Sequence, residues 1–293
     1  MKNTVKVNGK RMSLTDFQNA EGLKVIGDLD LTNTAITHLP KRLCVFGSLN
    51  ITGTKITELP NDLIVGVSIY LSRTKITYLR DNFRVGGSVD LSRTKIIHLP
   101  DNFKVVGGLC LRGASITELP DDISVGRSLD LSCTPITELP RGLKVGGGLR
   151  LEGTPITKLP YDLKVGFSID LKRTKIDHLP NGFSVGGSLN LSRTPITELP
   201  DNLRVGRSLN LANTKIEKLP DGFSKVLGKL DLTGTEITQL PDNLSVGGDL
   251  FLGGSKVKVL PDNLVVEGDL HLTDSAITEL PENLSVLGDI LRD

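Results

Sequence analysis

The chain has 293 residues, 38% of them apolar, and its 35 basic and 34 acidic residues leave a net charge of +1. A chain of this size suits one large core or two ordinary domains, and its charge balance excludes a global field drawing it toward nucleic acid or an anionic membrane; a polyanion would have to be met by a local patch. Cys44, Cys110 and Cys133 contain no CxxC pair and cannot all pair with one another, the N-terminus lacks a secretory apolar core, and no run reaches the roughly 18 apolar residues of a membrane span. A fold without disulfides is expected, cytoplasmic or secreted by a route without a cleavable signal peptide.

At the N-terminus, TVKVNGKRMSL places Asn8-Gly9 between two alternating segments, a strong hairpin signal. LTDFQNAEGL then reads as a short helix capped by Thr15, with Phe17 covering the first coil. From Val25 onward one phrase is repeated. Units open at Val25, Val45, Val65 and every twentieth residue to Val205. After one extra residue in FSKVLG they continue at Val226, Val246, Val266 and, incompletely, Val286. A period of this length means a solenoid. The expected organisation is an N-terminal cap over 1–24, thirteen 20-residue repeats over 25–285 and a partial terminal repeat over 286–293.

Within the fourth unit, VGGSVDLSRTKI reads as one short strand, with Val89 and Leu91 inward and Ser88, Asp90 and Ser92 outward. Leu99-Pro100-Asp101-Asn102 is no helix interior, because proline forces extended geometry on the residue before it and Asp and Asn favour a turn. Twenty residues leave no room for a long helix, so the return side is expected to be extended. At least one of the two residues after each valine is glycine, which predicts a turn needing positive φ.

The phrase LxLxxTxI with its LP step resembles the leucine-rich repeat, over residues 25 to 290. The 20-residue length and LPDNL are similar to the short bacterial type found in secreted effectors. Here the first leucine of the family's shared segment is usually Gly, and its asparagine is replaced. The resemblance implies a mainly β solenoid: a right-handed superhelix with a parallel, concave sheet and an extended, helix-poor convex side.

In the family that asparagine forms a ladder bonding leftover backbone groups. In this chain the position holds Thr34, Thr54, Thr74, Thr94, Thr134, Thr154, Thr174, Thr194, Thr214 and Thr235, with Ala114, Ser255 and Ser275 as exceptions. A hydroxyl that satisfies a carbonyl of the next coil makes these structural residues. Ala114 is then expected to leave one such group unmet.

The polar positions of the strands should stack as columns on the concave face. The central one runs Asp30, Asn50, Tyr70, Asp90, Cys110, Asp130, Arg150, Asp170, Asn190, Asn210, Asp231, Phe251, His271. Beside it stand Arg73, Arg93, Arg173 and Arg193. A protein partner with its own mixed charges is the ligand such stripes favour, with Tyr70, Arg73, Asp90, Arg93, Asp130, Arg150, Asp170, Arg173, Asn190 and Arg193 as the contact set. No nucleic acid, membrane insertion, metal or cofactor is expected. His38, His98 and His178 share a column but lie three or four coils apart, roughly 14 to 19 Å at the spacing of strands. Walker, GxSxG and HExxH motifs are lacking, so no enzyme activity is expected. The function expected is a non-catalytic scaffold of an effector, bacterial or from phage. Two alternatives are the recognition part of a ubiquitin-ligase effector and an ice-binding or purely structural repeat. The second is disfavoured by Glu58, Glu118, Glu138, Lys158 and His178 beside the threonines that follow each core isoleucine. At the other end, VLGDILRD starts a strand that places Arg292 at a core position and leaves Leu287 and Leu291 open to weak self-association.

Overall fold

A computed structural model describes residues 4–121 and 123–292; the first three residues of the expected cap and the last of the partial repeat lie outside them. The N-terminus is an antiparallel hairpin of β1 (Thr4–Val7) and β2 (Lys10–Ser13), turning through Asn8 and Gly9 at φ 48° and 82°. It runs directly into α1 (Leu14–Asn19), whose Phe17 is fully buried. Thr15 is not the cap. Ser13, extended at φ −65° and ψ 154°, accepts the Asp16 backbone N–H at 3.0 Å, because the helix begins as soon as β2 ends and the last strand residue alone has the cap's geometry. Asn8 ties the hairpin tip to the first coil: its amide donates to the Lys24 carbonyl and its Oδ1 accepts from the Ile26 N–H.

The rest is a stack of short parallel strands with almost no helix, in two units. The first comprises the residues up to Arg150 with Asp162–Lys164, the second Leu151–Tyr161 and the residues from Val165 on. In the first, Leu29–Asp30, Leu49–Asn50, Ile69–Tyr70, Val89–Asp90, Leu109–Cys110, Leu129–Asp130 and Leu149–Arg150 pair in that order, each in register with its neighbour. In the second, Ile169–Asp170, Leu189–Asn190, Leu209–Asn210, Leu230–Asp231, Leu250–Phe251, Leu270–His271 and Ile290–Leu291 do the same. The core is built coil by coil from the valine side, the first strand residue, the residue after the strand, an isoleucine or valine, and the leucine of the LP step: Val25, Leu29, Leu31, Ile36 and Leu39 in the first coil are all buried. Tight turns follow the LP step, as where Leu63 N–H donates to Pro60 O and Leu203 N–H to Pro200 O.

The valine is not the first leg of a single strand. It belongs to a second column of parallel pairs, Lys24–Val25 with Cys44–Val45 and Ile64–Val65 in the first unit and Lys225–Val226 with Ser245–Val246 and Val265–Val266 in the second. Between the columns the chain bends, and the glycines sit at that bend. They do not have positive φ. Their requirement is close approach: a Cβ on Gly66 would stand 2.3 Å from the Phe46 carbonyl oxygen, and one on Gly47 2.4 Å from Asp28 Oδ1. Successive coils are drawn together there, as Gly66 N–H donates to Val45 O at 2.8 Å and Gly47 N–H to Gly27 O at 3.2 Å. At these later bends a second side chain would meet the preceding coil, whereas the first bend, at Ile26 and Gly27, leaves open space around an added carbon.

Gly66→Ala is expected to destabilise the protein by about 1–3 kcal/mol through overpacking. Gly27→Ala, where nothing lies within 4 Å of the added carbon, should be neutral or slightly stabilising. Chemical-denaturation midpoints of the two variants check this, and equal shifts would refute the close-approach account.

Candidate functional site

Each strand passes into a four-residue turn, and the ten threonines close it. Thr94 N–H donates to the Leu91 carbonyl at 3.3 Å and its hydroxyl donates to the same oxygen at 2.7 Å. All ten hydroxyls bond the carbonyl three residues back in their own coil, not one in the next. The side chain is short and β-branched, so it reaches only its own turn. Ala114 therefore orphans nothing, since its N–H still donates to Leu111 O at 2.9 Å.

The bonds from side chain to neighbouring coil come from the position just before each strand, which the sequence pattern alone did not single out. Ser48 N–H donates to Asp28 Oδ1, Ser68 N–H to Ser48 Oγ, Ser88 N–H to Ser68 Oγ and Gly108 N–H to Ser88 Oγ. In the second unit Ser188 N–H donates to Ser168 Oγ, Ser208 N–H to Ser188 Oγ and Lys229 N–H to Ser208 Oγ, and Asp249 and Asp269 continue the run. The signal for it was the recurrence of serine one residue before the first core leucine.

Ser68→Ala, which removes the acceptor of the Ser88 N–H, is expected to cost about 1 kcal/mol. Thr174→Val should cost no more than that, because Leu171 O keeps its backbone donor, and Ala114→Thr should raise stability by a similar small amount. Unfolding free energies of the three variants test the assignment; a larger loss for the valine variant than for Ser68→Ala would reverse the order of the two columns.

The structure places Tyr70, Arg73, Asp90, Arg93, Asp130 and Arg150 on the strand-and-turn face of the first unit, and Asp170, Arg173, Asn190 and Arg193 on that of the second. Their roles differ. Asp90 and Asp130 each accept the N–H two residues on, at 2.8 and 2.9 Å, and Asp170 and Asn190 do so at 3.0 Å. Such Asx turns hold the chain as it leaves the strand. Tyr70, Cys110, Arg150, Phe251 and His271 replace the cap. Arg150 lies 4.0 Å from Asp130, and the Phe251 and His271 rings stack at 4.1 Å. Lys229, which the sequence pattern did not mark, stands 6.0 Å from the centre of the Phe251 ring and pairs with Asp249 at 2.7 Å. Its ammonium, with the Asp269 N–H, holds the Asp249 carboxyl below the usual carboxylate range.

The arginines are not strand residues. Arg73, Arg93, Arg173 and Arg193 occupy the third position of the turn at φ 56° to 59°, in the left-handed region. Other coils fill this position with Gly53, Gly113, Gly153, Gly234 and Gly254, or with Asn33, Asn213 and Asp274, the residue types that tolerate it, and one with Cys133. The backbone of this turn is used up in coil pairing, Arg93 N–H donating to Arg112 O at 2.9 Å, so the guanidinium is what the residue adds.

Among the described residues no group of three or more His, Cys, Asp or Glu side chains is placed to hold a metal, and no helix is long and apolar enough to cross a membrane. Burial pushes the Cys110 thiol up, opposed by the Arg112 backbone N–H and helped to a smaller extent by the Asp90 and Asp130 carboxylates on either side. That is the reverse of what a nucleophile needs. At neutral pH the exposed Cys133 should be alkylated well before Cys110, which mass spectrometry of iodoacetamide-treated protein would read.

A parallel-strand solenoid with 20-residue coils, inward leucines on short strands and an extended return has the architecture of a leucine-rich-repeat protein. No family model and no curated protein matches the sequence. Among solved structures it is similar to YopM from Yersinia enterocolitica WA-314, at 18% identity over 91% of this chain and 74% of that one, with a TM-score of 0.48. It is also similar to YopM from Yersinia pestis, described as a leucine-rich effector protein, at 18% identity over 91% of this chain and 88% of the other, with a TM-score of 0.44.

Proposed function

We propose that the chain is a non-catalytic protein-binding scaffold whose turn arginines grip carboxylates on a partner. The observation that carries this reading is the occupancy of the left-handed turn position. A side chain other than Gly, Asn or Asp there costs about 1–2 kcal/mol, and of the five coils that carry one, Cys133 stands alone while arginine stands in adjacent coils twice, at 73 and 93 and again at 173 and 193. Strain retained at a surface position that glycine fills elsewhere in the same repeat supports a role outside folding. Arginine gives a planar fork that pairs bidentately with carboxylates, and Asp90 or Asn190, already fixed by its own turn, offers a partner's cations and amides a rigid acceptor. The repeat's likeness to the short bacterial type adds an effector role to the same reading.

The reading makes stability and binding move in opposite directions. Arg93→Gly and Arg173→Gly should each stabilise the fold by about 0.5–1 kcal/mol, since the strain relieved exceeds the entropy glycine adds to the unfolded chain. Both should weaken capture of the partner, in a way that grows as salt is lowered. The comparison is affinity capture from candidate host and self lysates with the parent, the Gly variants and a Glu118→Lys, Glu138→Lys control on the return side. Loss of binding in the control with normal binding in the arginine variants would move the interface to the return segments. A measured turnover without any captured partner would overturn the scaffold itself.

A further inference from the structure

The bend between the two strand columns carries a second surface, separate from the turn face. Three positions in each coil line it: the residue before the valine and the two after it. In the first unit they hold Lys24, Arg84, Lys104, Arg127, Lys144 and Lys164 and no acidic residue, in a chain whose two signs are otherwise equal in number. All six are exposed, and none is within ion-pairing distance of a carboxylate among the described residues. Asp28, beside the first bend, is engaged by the Ser48 N–H. The nearest acidic column, Asp62, Asp81, Asp101, Asp121 and Asp162, lies two or three residues earlier in the turn after the LP step, and Arg84 donates there to the Asp81 and Phe83 backbone carbonyls.

Between these cations stand large apolar side chains that the fold leaves in water: Ile26 is 78% exposed, Phe46 57%, Val67 50% and Val106 73%. Close approach explains why at most one side chain projects from each of the later bends, but not why the side chains at 26, 46, 67 and 106 are aliphatic or aromatic. The chain turns away on both sides of the bend, so these residues stand out as a ridge, with an open hollow beside Ile26 lined by the hairpin residues Lys6 and Asn8 and by Asp28. A ridge of apolar tips flanked by unpaired cations fits a soft anionic interface, where the tips leave water and the cations meet headgroups. Nucleic acid would use the cations and leave the apolar tips without purpose. In the second unit the same three positions hold exposed Phe167 and Leu227 among Arg204, Arg207 and Lys225, with Glu267 as their one acid.

We propose that this bend ridge docks the protein on anionic lipid bilayers, lying on the headgroup layer without spanning it. The probe is co-sedimentation of the full chain with vesicles of phosphatidylcholine alone and with about a third phosphatidylserine, at low and high salt. The parent should bind the anionic vesicles, lose them as salt rises and ignore the neutral ones. Ile26→Ser with Phe46→Ser, and separately Lys104→Glu with Lys144→Glu, should each weaken partition by at least about tenfold. Val67→Ser with Val106→Ser gives a second apolar pair should the first alter the unfolding midpoint. Arg93→Gly with Arg173→Gly should bind vesicles like the parent, which separates this surface from the partner-binding face. Equal binding to neutral and anionic vesicles overturns the proposal. So does normal vesicle binding by both apolar pairs, or binding to heparin without binding to vesicles.

Discussion

Two parallel ladders run through each coil, one at the valine and one at the first core leucine, and both must hold hydrogen-bonding distance to the same neighbour. Between them lies a bend of two residues with its own N–H groups, and satisfying these draws the coils so close that a carbonyl oxygen occupies the place of a side chain. The glycines at the bend, the serine or aspartate after it and the bonding of that side chain to the next coil are consequences of this one constraint. An ideal β-helix without the bend would need none of them. Thirteen-fold repetition of the phrase reflects how little a coil can change while its neighbours stay fixed.

The turn after the strand obeys a different rule. Its third residue takes the left-handed conformation in every full coil, and its fourth returns the N–H to the carbonyl three residues back. Threonine adds a second donor to that carbonyl without adding a new acceptor demand, so alanine and serine can stand in its place. The Asp or Asn three residues before the left-handed position binds the N–H at the turn's entry. Both devices act within one coil, whereas the serine column acts between coils. A coil is thus shaped by its own threonine and Asx residue and attached by its glycine and serine.

The architecture was legible because period and apolar spacing are read directly from the chain: a 20-residue unit with inward residues at alternate positions admits only short, stacked strands. The geometry of the candidate site was less so. Arg93 looks from spacing like the outward residue of a continuing strand, and only the backbone angle reveals a left-handed turn. The threonine at 94 invited comparison with a ladder between coils, although a hydroxyl on so short a stem reaches no farther than Leu91 O. The bend glycines were recognised as constrained, but periodicity does not separate positive φ from close approach. Ser88 reads from spacing as an outward polar residue, because nothing in its identity tells that the neighbouring coil presents the Gly108 N–H to it.

These constraints also indicate where the chain is free. Core, glycine, serine and threonine positions are committed to folding, and the Asx column is committed wherever Asp or Asn stands in it. What remains variable is the left-handed position, the coils where the Asx cap is given up, and the side chain, one at most, that stands at a bend. Arginine collects at the first and Tyr70, Arg150, Phe251 and His271 at the second, while the third holds cations and exposed aliphatics but only one acid, Glu267. Solubility alone would distribute both signs over all three, since a solvated lysine and a solvated glutamate serve it equally. The sorting is by column, and columns are the unit in which a stacked coil presents itself to another molecule. Within each unit a column recurs at the strand spacing of about 4.8 Å, so a residue type favoured in a column is presented repeatedly along it.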